Sequence, residues 1–140
     1  MNSGAHHFPL VEVAPQLGLA SHLPYLPFVL SHQDAALEVQ GLLDTGSTVN
    51  VLPYTLGLKL GAIWEQQTTS VALAGNLTHF DARVLIVDAV VSTFQPVRLA
   101  FAWTRTDKTP LILGQVNFFL EFDVCFFRSK KLFEIQPKTR

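Results

Sequence analysis

An acidic residue in a tight turn between two apolar runs carries the clearest chemistry in this sequence. Asp44-Thr45-Gly46-Ser47 follows Gly41-Leu42-Leu43 and precedes Val49, Val51 and Leu52. Desolvating a carboxylate at the end of a buried strand is costly, so one kept there is expected to act. The chemistry open to it is acid–base: a positioned carboxyl takes a proton from a reacting group or gives one up. The blander reading is a β-turn, because Asp-Thr-Gly also suits the end of any strand. The motif occurs once; Asp34, Asp81, Asp88, Asp107 and Asp123 all lack a following Thr/Ser-Gly.

Other reactive residue types form no comparable pattern. His6, His7, His22, His32 and His79 show no metal spacing such as His-Glu-x-x-His, and no metal or organic cofactor is expected. Ser47 lacks the Gly-x-Ser-x-Gly elbow of a serine nucleophile. Cys125 sits in an apolar strand pattern with Phe122, Val124 and Phe126, which predicts a buried, inert thiol. Trp64 and Trp103 read as core or interface residues. Lys130 and Lys131 read as a solvated turn. Asn76-Leu77-Thr78 is a glycosylation sequon that carries no weight without a secretory signal.

Bulk properties set the frame for this site. The 140 residues fit one domain large enough for its own core. Hydrophobic content is 49% and charged content 15%, which excludes disorder and leaves apolar surface for a partner to cover. A net charge of −1 without a basic block gives no footprint for nucleic acid. One cysteine allows no intrachain disulfide, which fits a reducing compartment. There is no basic-then-apolar signal pattern, and no run of about 18 apolar residues to span a membrane. A cytoplasmic location is the expectation.

The elements that must hold Asp44 are mostly strands. Residues 1–22 read as an N-terminal arm, flexible or removable by processing, with residues 8–13 able to pair at a sheet edge. Residues 23–140 read as the domain. Phe28, Val29 and Leu30 lead to a polar turn at residues 31–34. The return strand alternates Leu37 and Val39 with Glu38 and Gln40, then turns wholly apolar at Leu42-Leu43. Such a strand dives into the core, and it arrives there at Asp44. Pro53 and Gly61 bracket a short helix or turn, weakened by Gly57. Strands are predicted at residues 68–73 and 79–87, joined by a hairpin tip at Ala74, Gly75, Asn76 and Leu77. Val97, Leu99, Phe101 and Trp103 share one strand face. Leu111, Ile112 and Leu113 form a strand that stops at Gly114, with one or two helical turns over residues 115–120. Residues 122–127 and 131–135 make a final hairpin. Many short strands with little helix predict an all-β, barrel-like domain.

Two elements in this order, Leu42-Leu43-Asp44-Thr45-Gly46-Ser47 and Ile112-Leu113-Gly114 before a short helix, resemble the retropepsin-like aspartic proteases. The resemblance covers roughly residues 25–136 and places the tip at Ala74, Gly75, Asn76 and Leu77 where that family has its flap. It implies an all-β acid-protease barrel with one short C-terminal helix, forming a twofold homodimer. It also implies a pepstatin-sensitive endopeptidase acting on peptide or protein substrates, with Asp44 catalytic and Thr45, Gly46 and Ser47 supporting its loop. Physical logic agrees. Hydrolysing an amide needs one carboxyl ionised and one protonated, and two carboxyls held close together cannot both carry charge cheaply. With one motif per chain, the pair must come from two copies. Each Thr45 hydroxyl would cross-link the two loops. The alternative is a non-proteolytic dimerisation or binding module on the same fold.

Two positions depart from the retroviral pattern. Ser47 replaces the usual Ala; its hydroxyl is expected to donate to the Asp44 carboxylate, favour the ionised form and shift activity to acid. Gln115 replaces an Arg that ties retroviral dimers together. Dimerisation is therefore expected to rest on terminal strands, by exchange at residues 122–135 and 8–13.

Overall fold

The computed structural model describes residues 4–14 and 21–139. Strand β1 (His6–Pro9) pairs with the last strand of the chain, while β2 (Val11–Glu12) and β3 (His22–Leu23) form a small ribbon. Residues 8–13 therefore pair within the chain; the remainder of the 1–22 arm lies largely outside the described residues.

Alternation builds the next hairpin. β4 (Tyr25–His32) and β5 (Ala35–Leu43) pair in register from Tyr25 opposite Leu42 to His32 opposite Ala35. Gln33 turns the chain with a φ of 53°. Burial along β5 alternates until Gly41 and Leu43, where both become buried. Beyond it come β6 (Asn50–Leu52), α1 (Tyr54–Lys59), β7 (Ala82–Val90), β8 (Val97–Thr104), β9 (Ile112–Leu113), α2 (Phe118–Glu121), β10 (Phe122–Phe127) and β11 (Leu132–Pro137). Six strands close into a barrel in the order β4-β5-β9-β6-β8-β7, and β1-β11-β10 form a separate sheet. Inside the barrel and beneath the second sheet lie Leu26, Leu30, Leu52, Leu99, Phe101, Trp103, Leu113, Phe118, Phe122, Phe133 and Ile135, all essentially inaccessible. Each such side chain contributes about 1.5–3 kcal/mol of burial. Among the described residues no helix is long and apolar enough to cross a membrane.

Several local expectations change. The strand expected at residues 68–73 reduces to one bridge, Ser70 to Arg83, and Gly75–Leu77 is a 3-10 turn rather than a hairpin tip. Val71, Leu73 and Leu77 all fold onto Val51, Ala82 and Ala102, so the segment curls down instead of extending. β7 accordingly starts at Ala82, because Phe80 closes a turn on Leu77. Cys125 is exposed, not buried, because the β10 face that carries it points away from the barrel. Gly57 is required rather than merely tolerated: a Cβ there would lie 2.2 Å from the Trp103 ring, whose Nε1 donates to Tyr54 O at 3.0 Å.

Helix α1 has no side-chain cap of its own, since Pro53 occupies the N-cap. Asp107 serves instead, accepting from the Thr55 N–H at 2.8 Å and from the Thr55 hydroxyl. The hydroxyl first, then the N–H, hold the Asp107 carboxyl below its ordinary value, with help from Lys59. A carboxyl whose folded value is depressed stabilises the fold above its unfolded value and loses that effect as pH falls through the folded one. Asp107→Asn is expected to lower stability by roughly 0.5 kcal/mol at about pH 6, and the difference from wild type to vanish in acid, once the pH has fallen through the depressed folded value. Urea midpoints under the two conditions test this; a difference that persists in acid contradicts it.

Candidate active site

Asp44 leaves the barrel from a strand held on both sides. Leu42 and Leu43 of β5 run parallel to Ile112 and Leu113 of β9. The Leu42 N–H donates to Leu111 O at 2.8 Å and the Asp44 N–H to Leu113 O at 3.0 Å. The turn then closes on the carboxylate: the Gly46 N–H donates to Asp44 Oδ1 at 3.0 Å and the Ser47 N–H to Asp44 O at 3.1 Å. Asp44 itself is half-buried, while Thr45 and Gly46 are exposed.

The segment after β9 clamps this turn from below. The Gln115 N–H donates to Ser47 O, the Val116 N–H to Thr48 O, and the Asn50 N–H to Val116 O, each at 2.9 Å. Gly114 makes the approach feasible. A Cβ there would lie 2.3 Å from Val49 O and 2.7 Å from Ser47 O, and both obstacles are backbone. The buried Asn50 completes the clamp. Its Oδ1 accepts from the Gly114 N–H at 2.8 Å, and its Nδ2 donates to Ala100 O and to Asn117 Oδ1, both at 3.1 Å. Asn117 in turn accepts from the Ala100 N–H and donates to Arg98 O. Sequence reasoning missed this amide pair; the available signal was an Asn between Val49 and Val51, inside an apolar run.

Over the carboxylate lies a cleft of about 250 Å³. Its floor is Asp44, residues 46–49, Val51 and Ile112; its far wall is residues 72–77, which include Ala74, Gly75, Asn76 and Leu77. The structure thus brings the Asp44 turn, Ile112 and the 74–77 segment to one cavity, with Leu113 and Gly114 beneath. Phe80, the one aromatic near that segment, is outside the lining.

No family model and no curated protein matches this sequence. Among solved structures, a retropepsin-like aspartic protease from Rickettsia conorii aligns over 96% of this chain and 92% of that one, with a TM-score of 0.63 at 12% identity. The fold is retropepsin-like. At that identity the likeness speaks for the backbone, and the chemistry must be read from this chain's own side chains.

On this retropepsin-like frame the two departures behave differently from expectation. The Ser47 hydroxyl donates to Val49 O at 2.7 Å. A hydroxyl has one proton to give, so it does not support the Asp44 carboxylate, and the argument for an acid-shifted profile falls. Gln115 is not idle: its Nε2 donates to Thr45 O at 2.8 Å, tying the exposed shoulder of the turn to the clamp. An arginine's ion pair is replaced by a neutral brace within one chain.

Gly114→Ala forces backbone atoms apart and is expected to destabilise by about 3 kcal/mol or to prevent folding. Ser47→Ala removes one hydrogen bond at a half-buried position and is expected to cost about 1 kcal/mol. Denaturant titration of both variants tests the ranking; a tolerated Gly114→Ala contradicts the clamp geometry.

Proposed function

We propose that this chain is an aspartic endopeptidase whose active site is completed by a second copy of itself. The observation that carries the reading is the placement of Asp44. Its carboxylate ends a central strand, is fixed by the Gly46 N–H, rests on the residue 114–117 clamp and faces a cleft, all on a retropepsin-like fold. Fixing the carboxylate beforehand means little reorganisation when a proton moves.

One Asp44 has half the required chemistry. Across a twofold axis, two such carboxyls share a proton, because charging both at close range is unfavourable. The ionised member takes a proton from water as that oxygen attacks the peptide carbonyl. The protonated member polarises the carbonyl oxygen. As the tetrahedral intermediate collapses, a carboxyl proton passes to the leaving nitrogen and the C–N bond breaks. Thr45, exposed at the shoulder of the turn, is placed to bond across the axis to its counterpart loop. The peptide lies extended in the cleft with side chains alternating between pockets. Val49, Val51, Leu73, Leu77 and Ile112 line it, so apolar side chains beside the scissile bond are favoured. Residues 74–77 act as the cover.

A non-proteolytic binding module is the second reading. It is favoured by that cover, a 3-10 turn curled onto the cluster around Val51 rather than a two-stranded flap. A peptide library incubated from acid to neutral pH separates the two. The protease reading expects pepstatin-sensitive cleavage that Asp44→Ala lowers by roughly 10³-fold or more in kcat/KM. Intact dimers that cleave nothing at any pH favour the binding module.

A further inference from the structure

A serine and an imidazole from opposite ends of the sequence meet away from the Asp44 cleft. Ser92 Oγ lies 2.5 Å from His6 Nδ1. The proposed peptidase chemistry uses neither residue. His6 opens β1, and its ring packs against Phe94 with centroids 4.5 Å apart. Ser92 sits in the turn that follows β7, closed by the Phe94 N–H donating to Val91 O at 3.0 Å. Its φ is 53°. That left-handed backbone is uncommon for a residue with a Cβ, and serine is not among the types that favour it. Strained turns after strands are one device that presents a nucleophilic serine hydroxyl to a substrate.

The plain role for this contact is an anchor that ties the start of β1 to the turn between β7 and β8. Gln33 and Lys131 have φ values of 53° and 56° in hairpin turns, so the backbone by itself marks only a turn. Ser92 is set apart by its surroundings. Its hydroxyl meets an imidazole nitrogen, the commonest general base. The N–H groups of Ser92 and Thr93 bond to nothing among the described residues, which leaves two donors beside the hydroxyl for a developing oxyanion. Ser92 also lines a groove of about 470 Å³ whose apolar walls are Pro27, Phe28, Val29, Val39 and Val90. His6 and Thr93 line a second cavity, of about 600 Å³. The pair thus stands between two spaces that could hold the two halves of one molecule. An anchor requires none of this.

We propose that Ser92 and His6 form a nucleophile–base pair that takes the acyl group of a carboxylic ester with an apolar acyl chain. This second activity depends neither on Asp44 nor on a second copy of the chain. The Ser92 hydroxyl donates to His6 Nδ1, with the ring's own proton on Nε2. Oγ attacks the ester carbonyl carbon as its proton passes to Nδ1. The oxyanion that forms is held by the Thr93 and Ser92 N–H groups. As it collapses, the C–O bond to the alcohol breaks and the proton on Nδ1 goes to the leaving oxygen. Water then attacks the acyl-serine and gives a proton to Nδ1. The bond from the acyl carbon to Oγ breaks, Oγ recovers that proton, and the carboxylic acid leaves. The groove beside Val90 holds the acyl chain, and the cavity on the His6 side takes the alcohol. Among the described residues no carboxylate pairs with His6, whose ring is steadied by Phe94 instead. Lacking an acid to orient the imidazole, the pair suits esters with good leaving groups.

Purified full chain is treated with a fluorophosphonate probe, from which Oγ displaces fluoride, and assayed separately on p-nitrophenyl butyrate. Ser92→Gly removes the hydroxyl and suits the left-handed backbone, so it is expected to fold at least as well as wild type. His6→Asn keeps a polar group near the place of Nδ1 but accepts no proton there. Circular dichroism confirms that each is folded. The expected result is one probe per chain, mapped to Ser92 by mass spectrometry and lost in Ser92→Gly. Ester hydrolysis should fall roughly 100-fold in either variant. It should rise with pH as the imidazole loses its proton, and pepstatin should leave it unchanged. A probe that attaches elsewhere or nowhere overturns the proposal, as does hydrolysis that survives Ser92→Gly; the contact is then an anchor for β1. Hydrolysis that pepstatin blocks also overturns it, because the chemistry then belongs to the Asp44 cleft. Failure of the peptidase reading would appear instead as intact peptides with ester hydrolysis retained.

Discussion

The close approach of Gly114 to the Asp44 turn is the constraint on which the rest of the structure depends. Two backbone segments pass within a distance that no side chain permits: a Cβ on residue 114 would meet Val49 O at 2.3 Å and Ser47 O at 2.7 Å. That contact aligns the N–H groups of Gln115 and Val116 with the carbonyls of Ser47 and Thr48. A carboxylate on a loop pinned in this way has little freedom to turn. Precision at Asp44 therefore comes from backbone geometry, with the carboxylate itself bonded by one N–H of its own turn.

Burying polar groups to make this clamp is costly unless every one finds a partner. Asn50 is fully buried, and its side chain makes three hydrogen bonds, two from Nδ2 and one to Oδ1. An unsatisfied amide there would cost about 1–3 kcal/mol. Asn117 extends the same network to β8 through Ala100 and Arg98. The Asp44 turn, the β9 exit and the barrel wall are thereby one hydrogen-bonded unit. Peripheral devices are simpler. Asp107 caps α1 from a distance because proline occupies the natural capping position, and Gly57 leaves room for the Trp103 ring.

The sequence made the barrel and the acidic turn legible because period and punctuation are local signals. Alternation followed by Leu42-Leu43 gave the dive of β5, and Leu111 to Gly114 gave β9 and its stop. What it hid was tertiary. Residues 68–80 have strand-like composition, yet Val71, Leu73 and Leu77 share one apolar cluster and bend the segment onto it. Cys125 looked buried among aromatics, but its strand presents that face to solvent. Ser47 stood beside Asp44 in sequence, while its hydroxyl turned two residues forward to Val49 O. Neighbours in sequence compete for a single proton, and only coordinates show which acceptor wins.

Sharing of one site between two chains is tested most directly by mixing. Wild-type and Asp44→Asn chains are unfolded together, refolded in varied proportions, and assayed on a cleavable peptide. If each site needs Asp44 from both copies, activity follows the square of the wild-type fraction, so an equal mixture retains about one quarter. Activity that falls in simple proportion, with about one half left in the equal mixture, would mean that one chain carries a complete site and would contradict the account.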